Sequence, residues 1–145
     1  MLSMLANYNW DRQIYFSGGG VSDPSSTFYL NDYLYDTGLS YKFVPIYNQF
    51  GKGGQIGGSN TKDLLRIFNS FKSSGFNNPK ASFSLTERNY TSSYRNVAVR
   101  LADDLLKEGK KKEAIQVLGK IMAEIPAQPK YDIGYGVSRI AGLYL

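Results

Sequence analysis

The sequence predicts an α+β fold: a small βαβ-type N-terminal layer packed against a C-terminal helical hairpin plus a third helix. Three observations predict it. Residues 12–17 and 39–46 alternate as strands do, on either side of a helix-spaced segment. Residues 61–74 and 93–145 carry helical periodicity, and the glycine-rich run GKGGQIGGSN at 51–60 divides the two halves. At 145 residues, 42% hydrophobic and 20% charged, the chain is one domain's worth of ordinary globular composition, read as a single domain over 1–145.

Taken in order, residues 2–7 (LSMLAN) read as the tail of a short helix ending near Asn7 or Asn9. RQIYFS, residues 12–17, has the β-branched and aromatic content of a strand, and Gly18-Gly19-Gly20 stops it. Asp23-Pro24-Ser25-Ser26 is turn chemistry that suits a helix start. In FYLNDYLYDTG, residues 28–38, Leu30, Tyr33 and Leu34 fall at helical spacing and Gly38 supplies a stop. LSYKFVPI, residues 39–46, alternates Leu39, Tyr41 and Phe43 against Ser40, Lys42 and Val44, with Pro45 at a strand end. Strand, helix and strand over 12–46 imply a right-handed crossover between parallel strands.

The run at 51–60 is expected to be a mobile loop. Its one Gly-Lys pair, Gly51-Lys52, is followed by glycine rather than Ser or Thr, so the phosphate-loop pattern fails. TKDLLRIFNSFKSS, residues 61–74, is an amphipathic helix with Leu64, Leu65, Phe68 and Phe71 on one side and Gly75 at its end. ASFSLTE, residues 81–87, reads as a short strand. Asn89-Tyr90-Thr91 fits an N-glycosylation acceptor, a tripeptide too common to carry weight by itself.

From Ser93 the chain reads as helical. Val97, Leu101 and Leu105 form a stripe with Ala98 and Ala102 beside it, Gly109 breaks the helix, and Ala114, Ile115, Leu118, Ile121 and Met122 line the next one before Pro126. Ala98, Leu101, Ala102, Leu105, Gly109, Ala114, Leu118, Ile121 and Pro126 resemble the positions of one tetratricopeptide unit, over about 93–126. Small residues at Ala102 and Ala114 let two helices approach closely. No second copy follows at that period, and stacked repeats need about three units. The hairpin and the third helix, at 131–145, are therefore expected to pack on the N-terminal half.

Charge and composition narrow the function. The net charge is +5; residues 1–60 carry −1, so residues 61–145 carry +6. Those cations are scattered among acids along helices, which fits a solvated face, and no basic stripe interleaved with aromatics points to nucleic acid. The chain has no Cys and no His, so thiol and imidazole catalysis, disulfides and the usual zinc sites are excluded. Asp103-Asp104 are adjacent on a helix and cannot oppose each other across a substrate. No catalytic residue, metal site or cofactor is expected. No stretch reaches the roughly 18 apolar residues of a membrane span, and MLSMLANYNWDR lacks the parts of a signal peptide.

Several segments together resemble one family. Asn9-Trp10-Asp11-Arg12-Gln13-Ile14-Tyr15-Phe16 is similar to its N-x-W-x-R-P-I-Y-F, with Gln13 in place of the proline. Tyr33-Leu34 and the run from Thr37 to Ile46 resemble its Y-L … G-L-x-Y-R-L-V-P-I. Tyr94-Arg95-Asn96, Leu101-Ala102, Gly109-Lys110, Glu113-Ala114-Ile115, Leu118, Pro126, Tyr131-Asp132, Ile140-Ala141 and Tyr144 continue it. The family comprises polytopic bacterial membrane proteins of unknown function that resemble protein O-mannosyltransferases. The resemblance implies a soluble domain on the periplasmic side of the inner membrane of a Gram-negative bacterium, anchored through upstream transmembrane helices absent from this chain. The full-length protein would then be a possible glycosyltransferase with its carboxylates in the membrane part.

The expected function is a non-catalytic module whose partners are that membrane-embedded portion and a glycan or acceptor protein. The alternative is a peptide-binding tetratricopeptide-like adaptor. Trp10, Tyr15, Tyr41 and Tyr47 are the candidate ligand-binding residues, because their flat amphipathic rings suit sugar stacking; by residue type Trp10 and Phe16 belong more often to a core. Arg12 is a candidate for an anionic group. If the strands are parallel, the contact surface lies beyond their carboxyl ends, at loops 18–23 and 47–58.

Overall fold

The computed structural model describes residues 6–17, 29–49, 57–73, 75–76, 78, 80–125 and 142. The chain divides into two compact units, Met1–Ser59 and Asn60–Leu145. The expected helix at 131–145, Pro126 and the loop at 18–23 lie outside the described residues.

The first unit holds a three-stranded sheet of β1 (Tyr15–Ser17), β2 (Leu34–Asp36) and β3 (Ser40–Phe43), in the order β1-β3-β2. Both neighbours of β3 run antiparallel to it: Tyr15 faces Lys42 and Phe16 faces Tyr41, while Leu34 faces Phe43 and Asp36 faces Tyr41. The fold class is thus α+β, but the parallel crossover expected over 12–46 is replaced by antiparallel pairing. The reason lies in residues 28–38. Only a single 3-10 turn forms there, Asn31–Tyr33, followed at once by β2 with Leu34 and Asp36 buried and Tyr35 between them. Strand alternation and pairing override the helical spacing of Leu30, Tyr33 and Leu34.

Gly38, read as a helix stop, is instead the first residue of a two-residue hairpin loop. Its φ of 94° is a conformation that favours glycine, and glycine at this position belongs to the hairpin turn that matches strand twist. The Asp36 carboxylate accepts from the Gly38 amide at 2.7 Å, and the Thr37 amide donates to the Ser40 carbonyl at 2.9 Å. Beyond the other edge of β2, the Asp36 amide donates to the Gly58 carbonyl at 3.2 Å, and the buried Asn48 side chain bridges the Leu34 and Gly58 carbonyls. Residues 57–58, inside the segment expected to be mobile, are therefore pinned; residues 51–56 lie outside the described residues.

The second unit contains α1 (Thr61–Ser70), α2 (Leu85–Lys107) and α3 (Lys111–Glu124). The Asn60 side chain accepts from the Lys62 amide at 2.9 Å and starts α1, which buries Leu64 and Phe68. The expected strand at 81–87 is instead the start of α2. Ser84 and Glu87 form a capping box, each side chain accepting from the other's backbone amide, at 3.3 and 2.7 Å. The Ser84 amide foremost, and the Ser84 side chain after it, hold the Glu87 carboxyl below its ordinary value by hydrogen bonding. The acceptor tripeptide at Asn89 therefore sits on a helix, with Thr91 buried.

α2 and α3 form the expected hairpin. Val97, Ala98, Leu101, Ala102 and Leu105 pack in a core with Ala114, Leu118 and Ile121, all of them buried. Full burial stabilises each Leu or Ile by about 1.5–3 kcal/mol. The turn is a Schellman closure: Gly109, with φ 76°, donates to the Leu106 carbonyl at 3.0 Å, and the Lys110 amide donates to Leu105 at 2.8 Å.

Two cations then stop two helices. The Lys120 ammonium donates to the carbonyls of Phe68, Asn69 and Phe71 at 3.1, 3.1 and 3.4 Å, satisfying the end of α1. Arg95, only 2% exposed, donates to the Ile125 carbonyl at 3.0 Å, at the end of α3. Burial lowers its guanidinium below the ordinary value. A buried arginine is tolerable here because the acceptor lies at the negative end of a helix dipole.

Candidate functional site

The sheet unit carries the candidate residues, and its register sorts them by face. Side chains alternate along each strand, so Phe16, Leu34, Asp36, Tyr41 and Phe43 share one face. Tyr15, Ser17, Tyr35, Ser40 and Lys42 share the other.

On the first face, Trp10 lies flat against Phe43, with centroids 5.7 Å apart and an angle of 20° between the rings. Tyr8 meets Trp10 edge-on at 5.2 Å, and Tyr33 tilts against Phe43 at 6.4 Å. Trp10 remains 47% exposed, so it is not a core residue. It is also one of two non-glycine residues with positive φ among the described residues, at 66°. For a bulky side chain that conformation is an outlier, costing on the order of 1–3 kcal/mol and concentrated at ligand clamps and active sites. The turn is held locally: the Asn9 side-chain amide donates to the Asp11 carboxylate, and the Asp11 amide donates back to the Asn9 side chain at 3.5 Å. Strain is thus retained in a turn that lays an indole, half open to solvent, on the sheet.

Tyr41 shares this face but is packed rather than presented. A Cβ at Gly57, whose φ is 64°, would come within 2.9 Å of the Tyr41 ring and 3.0 Å of the Leu34 carbonyl. Tyr15 is 50% exposed on the opposite face, and its hydroxyl donates to the Gln13 side-chain oxygen at 2.5 Å. Tyr47 is exposed in the segment after β3, beside the buried anchor Asn48. Arg12 is exposed. The expected contact surface at the carboxyl ends of two parallel strands does not exist as drawn. In the antiparallel pair Ser17 lies opposite Ser40, so β1 ends where β3 begins, away from Tyr47.

The four candidate rings therefore do not converge. Trp10 gains Tyr8 and Phe43 as neighbours, and Tyr15 gains Lys42, with Tyr35 one strand beyond. The sequence held the signal for both groupings in the alternation of 34–36 and 40–43 about Gly38, which fixes the hairpin register.

Among the described residues, no group of three or more Asp or Glu is placed to hold a metal ion, and no helix is long and apolar enough to cross a membrane. Residues 1–63 match the family model described as TMEM260-associated domain 2, a domain associated with a membrane protein. That match takes in the sheet unit and the first residues of α1. No curated protein and no solved structure matches the chain.

Proposed function

We propose that the chain is a non-catalytic, periplasm-facing module of a glycosyltransferase-like membrane protein. It sits on the periplasmic side of the inner membrane, anchored by transmembrane helices upstream, and positions a glycan or acceptor protein near the membrane-embedded core. The observation that carries this reading is the strained turn that keeps Trp10 flat on Phe43 and half exposed. A tryptophan serving only the core would be covered, and a surface serving only solubility would not hold an indole in a costly backbone conformation. The match of residues 1–63 to a TMEM260-associated domain supports the membrane-protein context. The similarity of the motifs to protein O-mannosyltransferase-like proteins supports a sugar as the ligand. An indole face binds the apolar face of a sugar ring, leaving its hydroxyls to water and neighbouring polar groups.

Trp10 is the single tryptophan, so its emission is the readout. Titration of the full chain with neutral manno-oligosaccharides is expected to change Trp10 emission saturably. Calorimetry should show that binding lost in Trp10→Ala and reduced in Phe43→Ala. The chain alone is expected to transfer no sugar from lipid-linked or nucleotide donors. Emission unchanged up to millimolar oligosaccharide, or binding that survives Trp10→Ala, refutes the platform.

A further inference from the structure

The opposite face of the same sheet has a different composition. The register puts Tyr15, Lys42 and Tyr35 directly side by side across all three strands, with Ser17 and Ser40 as the next row. Tyr15 is half exposed, and Tyr35 and Lys42 are half-buried. Lys42 makes no ion pair among the described residues, and none of the five residues sharing this face is acidic. The acid of these strands, Asp36, lies on the other side of the sheet and accepts from the hairpin turn. The Tyr15 hydroxyl is held by Gln13, which restricts how its ring can turn.

We propose that this face binds an acidic oligosaccharide, a chain of sugar rings bearing carboxylates, with Tyr15 and Tyr35 as stacking surfaces and Lys42 as the carboxylate partner. The site is separate from the Trp10 platform and does not depend on it. Adjacent strands lie about 4.8 Å apart, so the two tyrosines, two strands apart, stand roughly 10 Å from each other. One sugar ring rests on one tyrosine only, so the ligand that uses both spans at least two rings. Its carboxylate meets the ammonium between them. A lysine already half-buried in a sheet has lost part of its hydration, and an incoming anion replaces that loss. The serine hydroxyls offer donors and acceptors of the kind sugar hydroxyls require.

A single-stranded nucleic acid also stacks on sheet aromatics, but it brings a phosphate with every base. Such sites are lined by several cations that follow the backbone. One lysine among serines and tyrosines fits a sparsely charged chain.

The test is a titration of the full chain with tetragalacturonate, neutral cellotetraose and oligodeoxythymidylate, followed by backbone amide shifts and calorimetry. Tetragalacturonate is expected to bind saturably, with shifts centred on Tyr15, Ser17, Tyr35, Ser40 and Lys42, and at least tenfold tighter than cellotetraose. Lys42→Gln, which removes the charge and leaves the strand intact, is expected to weaken tetragalacturonate at least tenfold. Tyr15→Ala should also weaken it, and Trp10→Ala should leave it unchanged. The proposal is overturned by no saturable tetragalacturonate binding, by binding indifferent to Lys42→Gln, or by oligodeoxythymidylate binding more tightly with steep salt dependence. Binding lost in Trp10→Ala but kept in Lys42→Gln places the ligand on the Trp10 platform and also overturns it. Failure of manno-oligosaccharide binding with tetragalacturonate binding intact removes the Trp10 reading alone.

Discussion

Replacing Gly57 by alanine tests the packing of the sheet unit most directly. Gly57 has a φ of 64°, and an added Cβ would sit 2.9 Å from the Tyr41 ring and 3.0 Å from the Leu34 carbonyl. The left-handed conformation costs an L-residue about 1–2 kcal/mol. Forcing a methyl group into packed surroundings costs about 1–3 kcal/mol more. The backbone carbonyl of Leu34 cannot rotate aside as a side chain can, because it also accepts from the buried Asn48 side chain. Gly57→Ala is therefore expected to lose about 2–5 kcal/mol in the sheet unit. Gly109→Ala is the control: its φ is 76°, but nothing lies within 4 Å of the added Cβ, so only the conformational part applies. Two probes read the two units in a urea titration, Trp10 emission for the sheet and circular dichroism at helical wavelengths for α1–α3. Gly57→Ala should move the Trp10 midpoint to lower urea by more than Gly109→Ala moves the helical one. A Trp10 transition at the wild-type midpoint would refute the contact between Tyr41 and Gly57.

The helical unit offers three further tests. Ala114→Trp should overpack the α2–α3 crossing and cost about 1–3 kcal/mol or more by thermal melt; a wild-type melt would mean that the helices do not meet there. Lys120→Met should release the α1 carbonyl ends at a cost of about 1 kcal/mol, visible as faster amide exchange in Phe71 and its neighbours with α3 unaffected. The Glu87 carboxyl is held below its ordinary 4.5, so the stabilisation it adds is present above that value and fades as pH falls through the lower folded value. Glu87→Gln should remove that part of the acid dependence, read as a Ser84 amide protection factor that no longer falls on acidification.

What could be read from the sequence depended on whether local signals agreed with one another. In the hairpin they agreed. Ala98, Ala102 and Ala114 at the crossing, Leu101, Leu105, Leu118 and Ile121 around it, and Gly109 between the helices all indicate the same packing. Residues 28–38 sent two signals. Helical spacing of Leu30, Tyr33 and Leu34 competed with the alternation of Leu34 and Asp36, and only pairing with β3 decides between them. At 81–87 the alternation of Ala81, Phe83 and Leu85 obscured a helix start already written as Ser84-x-x-Glu87. The candidate rings were legible as residues but not as sites. Strand parity puts Tyr15 and Tyr41 on opposite faces, and parity follows from a register set by the turn at Gly38.

The helical hairpin bears on the choice between a sugar-positioning module and a peptide adaptor. A peptide groove on this hairpin would need open apolar positions along α2. Around α2, at 100° per residue, the buried positions Thr91, Arg95, Val97, Ala98, Val99, Leu101, Ala102 and Leu105 sweep roughly 200° of the circumference. The exposed arc opposite them holds Leu85, Thr86, Asn89, Ser93, Asn96 and Lys107, with Arg100 half-buried among them. Apolar anchors are what a helix groove offers a peptide, and beyond Leu85 in the first turn that arc has none. The exposed apolar residues of α2, Leu85 and Tyr90, lie within its first two turns, away from the crossing. The α2–α3 crossing is closely packed, while the sheet unit carries the exposed rings of Trp10, Tyr15 and Tyr47.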